Sequence, residues 1–147
     1  IATTLWAHIP LQDAFRTEAV ISDFRRIRYG VEPLDFNRFN DEHYRCFKFL
    51  RESVSSSKAK HIIVATHHVP SFELMSPEFK GSDLNGAFTV ELGDYIAASP
   101  IEYWIYGHSH RNIDKVIGNT QCISNQLGYV FSNEHSSFDR TKHIEIV

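Results

Sequence analysis

Two apolar runs, each ending in a cluster of histidines, constrain this chain more than anything else in it. The first is Ile62-Ile63-Val64-Ala65-Thr66, which leads into His67-His68-Val69-Pro70. The second is Ile101-Glu102-Tyr103-Trp104-Ile105-Tyr106, which leads into Gly107-His108-Ser109-His110. Short runs rich in β-branched and aromatic residues read as buried strands. Helix-like sequence precedes each run, so the expected class is α/β. Open α/β sheets bind ligands at the carboxyl ends of their strands. Two such strands side by side aim three or four imidazoles at one place.

The remaining pattern fills in around these strands. Residues 1–8 predict a strand, and residues 11–30 an irregular excursion with a short helix or turn. Asn40 or Asp41 is placed to cap a helix running to about Ser57, with Tyr44, Phe47, Leu50 and Val54 on one face. Asp41 and Glu42 suit the positive end of its dipole. Residues 71–86 predict a polar loop. A second helix is expected over 88–98, stopped by Pro100. Strands are expected near 113–117, 120–124 and 143–147. No repeat, low-complexity tract or linker divides the chain, and 147 residues fit one domain.

Composition narrows the function classes. A net charge of −3 and a pI near 6.3 give no electrostatic footprint for nucleic acid or an anionic membrane. No apolar run approaches the ~20 residues of a membrane span. Cys46 and Cys122 are too few for a disulfide framework; one falls in helical sequence and one in a strand, as buried thiols do.

The chemistry rests on imidazole, a common ligand for zinc, iron and other transition metals. Histidine pairs at strand ends are also held simply by backbone carbonyls, and that reading stands beside the metal reading for His67-His68. In Gly107-His108-Ser109-His110, alternate residues of an extended backbone face the same way, so His108 and His110 are expected on one side. Gly107 is expected to allow close backbone approach or an unusual φ. His8, His43, His61, His135 and His143 are expected to be structural or solvent-exposed. Tyr103, Trp104 and Tyr106 are expected to pack in the core.

These motifs resemble the C-terminal half of the calcineurin-like metallophosphoesterases. The carriers are His68-Val69-Pro70, Gly107-His108-Ser109-His110, and the segment 119–129 with its Asn125-Gln126-Leu127-Gly128-Tyr129 turn; Ser22-Asp23-Phe24-Arg25-Arg26-Ile27 adds a weaker likeness. The family's N-terminal motifs (Asp-x-His, Gly-Asp-x-x-Asp and Gly-Asn-His-Asp/Glu) are absent in their strand context. Asp41-Glu42-His43, Gly93-Asp94 and Gly118-Asn119 only mimic them, in helix-like or turn-like sequence. The expectation is therefore that residues 1–147 are a partial metallophosphoesterase domain, the C-terminal part of a longer protein.

The resemblance implies half of a four-layer α-β-β-α sandwich. It implies phosphoester hydrolysis by a water activated at two divalent or trivalent metal ions (Mn, Fe or Zn) ~3.5–4 Å apart. It carries metal-ligand and catalytic roles onto His68, His108 and His110, with His67 as the alternative to His68. His68 stands two residues before proline, as the family's ligand does, which leaves His67 facing the opposite way. The implied partners are a phosphoester substrate and the N-terminal half of the same domain, without which this chain is expected to be inactive. Loops 71–86 and 128–140 would select the substrate. A cytoplasmic location is expected, although a signal peptide would lie upstream of this sequence. A non-catalytic protein-binding scaffold and a single three-histidine metal site are the competing readings.

Overall fold

Val64, Trp104 and Cys122 stand in register on three adjacent strands, and none exposes any surface to solvent. They form the centre of the core. The computed structural model describes residues 1–146. Its main sheet has five strands in the order β1-β4-β5-β7-β6: β1 (Ala2–Thr3), β4 (Ile63–Thr66), β5 (Tyr103–Ile105), β7 (Thr120–Ile123) and β6 (Lys115–Ile117). Neighbouring pairs are parallel except β6–β7, a hairpin turning at Gly118. The protein is thus mixed α/β with a largely parallel central sheet, as expected. β2 (Arg28–Tyr29) and β3 (Glu32–Pro33) form a separate small hairpin. Residues 11–30 also hold the short helices α1 (Ala14–Val20) and α2 (Asp23–Arg26).

The long helix α3 (Phe36–Ser56) begins about a turn earlier than the sequence pattern predicts. Its cap is Asp35, whose carboxylate accepts the Arg38 N–H at 2.8 Å. The buried face is Phe39, His43, Leu50 and Val54. His43 interrupts the apolar spacing with a polar letter and so hides the first turn. Asn40, the expected cap, instead clasps the Ile9 backbone in both directions at 2.8 and 2.9 Å.

Three other boundaries differ. The first strand ends at Thr3, because Leu5 (φ 69°) and Trp6 (φ 51°) adopt left-handed backbone and turn the chain. Helix α4 covers only Gly93–Ala98. The segment before it pairs with the continuation of β4: Val69 N–H donates to Phe88 O at 3.1 Å, and Val90 N–H to Val69 O at 3.0 Å. Those extended bonds occupy the groups a helix would need. Residues 143–146 form no strand, and Val147 lies outside the described residues. Here a side chain takes a backbone acceptor, since Tyr103 OH donates to Glu145 O at 3.0 Å.

Side chains alternate across a sheet. Val64, Trp104 and Cys122 fill one face, while Ala65, Ile105 and Ile123, in register on the other, are only partly covered. At the β6–β7 tip, Gly118 (φ 61°) lies so close to α4 that an added Cβ would sit 2.6 Å from Ala97 Cα.

Candidate functional site: an imidazole cluster at the sheet's carboxyl edge

Because β4 and β5 run parallel in register, their carboxyl ends emerge side by side. His67 and His68 follow one, and Gly107-His108-Ser109-His110 the other. The His68 and His108 ring centroids are 4.3 Å apart, and those of His67 and His108 are 4.7 Å apart. His108 Nδ1 and His67 Nε2 meet at 3.0 Å. His67 therefore joins the cluster rather than turning away. The reason is a contact from the neighbouring strand's end: His67 and His68 N–H groups both donate to Thr4 O at 3.3 Å, so the backbone bends and strict alternation lapses.

His68 is the most enclosed member, only 3% exposed. Its Nδ1 lies 3.3 Å from Thr4 O. Trp6 stacks on its ring at 5.6 Å, and Phe39 meets it edge-on at 6.0 Å. Its Nε2 is buried with no hydrogen-bond partner. Phe88 closes the other flank by stacking on His108 at 5.0 Å.

The second motif is not extended. His108 (φ 71°) and His110 (φ 53°) both take left-handed backbone, so the expected alternation does not operate. Gly107 supplies neither anticipated freedom: its φ is ordinary, and an added Cβ would meet nothing nearer than 3.5 Å. His110 turns toward a different partner. Its Nδ1 pairs with Glu134 Oε2 at 2.9 Å, its N–H donates to Gln126 Oε1 at 2.8 Å, and Tyr129 meets its ring edge-on at 4.7 Å. Four of the five non-glycine residues with positive φ among the described residues (Leu5, Trp6, His108 and His110) adjoin this cluster. Such backbone costs about 1–3 kcal/mol per residue and gathers at functional sites.

Burial disfavours the charged forms of His67, His68 and His108. Burial, reinforced by His108 and His67, pushes the His68 pKa down to about 2. Burial and His67 push His108 down to about 4. His67 is lowered by burial, against the pull of Asp23. Glu134 is held below the usual carboxylate range by the Tyr129 N–H and then His110. Neutral imidazoles keep a lone pair available to a cation.

Comparison with known proteins places one viral protein beside this chain. "Uncharacterized protein L509" of Acanthamoeba polyphaga mimivirus is 28% identical over 160 residues, covering 99% of this chain and 55% of that protein. The chain thus spans about half the length of the curated relative it matches. No family model matches, and no solved structure matches. Among the described residues, no helix is long and apolar enough to cross a membrane.

The donor chemistry suits a metal, but the number of donors is short. Among the described residues no group of three or more His, Cys, Asp or Glu side chains is arranged to hold an ion. What stands ready is partial. His68 offers an orphaned buried nitrogen, and the 3.0 Å His67–His108 contact brings two further nitrogens together. Residues without a sequence signal complete the surroundings: the Thr4 carbonyl, Trp6, Phe88, Gln126, Glu134 and Asp23. Gln126 and Asp23 fall within quoted motifs, but the sequence assigns none of these residues a role at the site. The other histidines have local partners: His8 with Tyr44 OH at 2.9 Å, buried His43 with Trp6 O at 2.9 Å, His61 with Glu102 at 2.7 Å, and His143 with Thr141 O at 2.9 Å. His135 keeps a buried Nδ1 without a partner.

Proposed function

We propose that this chain supplies the imidazole side of a metal-dependent phosphoester hydrolase centre, within half of a four-layer α-β-β-α metallophosphoesterase sandwich. The observation that carries this reading is the buried, unpartnered His68 Nε2. Its other ring nitrogen faces the Thr4 carbonyl, which is how metal-binding histidines are oriented. His108 and His110 complete the set, with His67 as the alternative at the first cluster. His110 leans on Glu134 as a ligand leans on an outer carboxylate. The half-covered row Ala65, Ile105 and Ile123 suits a second sheet layer. Two divalent or trivalent ions (Mn, Fe or Zn) would supply an activated water and charge neutralisation of the phosphoryl oxygens.

The chain's own residues prepare that chemistry. Trp6 and Phe39 enclose His68, and Phe88 flanks His108; the low exposure of His68 strengthens charge interactions at its ring. Thr4 fixes the direction of His68, and Glu134 that of His110. The bridging carboxylates come, in this proposal, from an N-terminal half of the same domain. The chain by itself then turns over little or nothing.

The test combines metal content with hydrolysis. The chain, alone and within a longer parent carrying the carboxylate motifs, is assayed with an aryl phosphate and a bis-aryl phosphate in Mn²⁺. The parent is expected to hold two metals and hydrolyse substrate, and His68→Ala or His110→Ala is expected to abolish both. Turnover by the chain alone near ordinary rates, on the order of 1 s⁻¹, or full activity in the His68→Ala parent, would overturn the reading.

A further inference from the structure

Beside His110 the chain places large apolar side chains in solvent. Leu127 is 50% exposed, Tyr129 54%, Val130 58% and Phe131 87%. The loop that carries them is tightly fixed. Gly128 takes φ 62°. Tyr129 N–H donates to Glu134 Oε2 at 2.6 Å, and the Ser132 and Glu134 amides return to Tyr129 O at 3.0 and 3.2 Å. The same Glu134 oxygen meets His110 Nδ1. One carboxylate therefore orients both an imidazole of the cluster and the aromatic residue next to it.

The rings form a continuous series. Tyr129 lies edge-on to His110 at 4.7 Å, then stacks on Phe131 at 5.2 Å with planes 23° apart. Phe131 thus ends the series with nearly all of its own surface in water. The exposed apolar stretch is a single loop followed by Asn133, Glu134 and His135. It fits a flat ring, and the series starts at the imidazoles.

We propose that Tyr129 and Phe131 are a stacking platform for a planar ring carried by the substrate, so that the substrate class is a nucleobase-bearing or other aryl phosphoester. This rests on the phosphoester reading above. The ring lies against the Tyr129–Phe131 stack while the phosphoryl group lies at the imidazole cluster. Aromatic platforms accept any base because every base has a π-face, and each stack changes affinity by roughly tenfold or more.

The experiment is an NMR titration of the whole chain in excess Mg²⁺ with adenosine, adenosine 5′-monophosphate and ribose 5-phosphate. It follows the ring signals of Tyr129, Phe131 and His108. Adenosine and its monophosphate are expected to shift the Tyr129 and Phe131 signals saturably, and ribose 5-phosphate to leave them unmoved. Phe131→Ala should weaken both adenine ligands about tenfold, and Phe131→Trp should restore them; at 87% exposure neither change disturbs the core. Adenine ligands that leave Tyr129 unmoved, or an unchanged affinity in Phe131→Ala, overturn the platform. Two outcomes separate it from the hydrolase reading. Ring shifts with no phosphate-dependent effect at His108 support the platform, and the phosphoester reading is then decided by hydrolysis in the longer parent. A phosphate-dependent effect at His108 without ring shifts removes the platform and leaves that reading in place.

Discussion

Replacing His68 by Leu should flatten the acid side of the stability curve. In the folded protein burial holds the His68 pKa down at about 2, whereas the unfolded chain has the ordinary value of about 6.5. Below pH ~6.5 the unfolded state binds a proton that the folded state refuses, so stability falls as pH falls. The contribution is fully present above that pH and drains away at about 1.4 kcal/mol per pH unit on the way down. By pH 4.5 this one residue removes roughly 3 kcal/mol, a large part of a typical total of about 5–15 kcal/mol. Leucine cannot titrate. It also deletes the orphaned Nε2 while the backbone donors to Thr4 O remain, so the loss at neutral pH should be small. The assay is urea unfolding by circular dichroism at pH 8, 6 and 4.5, with a chelator present. The difference between wild-type and variant stabilities should change by roughly 3 kcal/mol over that range. Parallel pH profiles would refute the argument, because they would mean that His68 takes up its proton in the folded state.

Three further outcomes follow from the same geometry. Asp35→Ala removes the α3 cap and should cost about 1 kcal/mol in a urea titration; no change would mean that the helix start is held elsewhere. Gly128→Ala places a Cβ in left-handed backbone, 2.6 Å from Glu134 Cβ. It should cost at least about 1–2 kcal/mol and shift the ¹⁵N signals of His110, whose Cβ would lie 3.3 Å from the added methyl; an unmoved His110 signal would contradict that packing. Burial pushes the Cys122 thiol up to about 12, so mass spectrometry after alkylation at pH 8 should find it modified only in denaturant; modification of the folded chain at the unfolded rate would contradict its placement.

The parts legible in the sequence are those governed by periodicity. The runs behind β4, β5 and β7 are apolar enough to have one solution, a buried strand, and the histidines after two of them follow at the strand ends. Periodicity fails where backbone geometry is set by contacts far along the chain. Nothing in Thr4-Leu5-Trp6 announces two left-handed residues; they are accommodated because His43 and Asn40 on α3 grip that loop. The same failure affects His108 and His110, whose left-handed φ values replace the assumed extended run. Glu134 is 24 residues from His110, in a loop with no pattern, so no local signal connects them. The α3 start was hidden by a buried histidine in an apolar position, since hydropathy scores the residue type and not its surroundings.

The Gly118 turn has a consequence for how this sequence can be altered. Exposed hairpin tips are ordinarily where a protein accepts inserted sequence or new termini. This one is exposed, yet its backbone abuts Ala97 with no room for a methyl group. Residues added there would lever α4 away from the sheet and disturb the covering of Trp104, so an epitope tag, a fusion partner or a circular permutation joined at 118–119 should yield insoluble protein. The turn at Gly81, where an added Cβ meets nothing within 4 Å, is the place to graft.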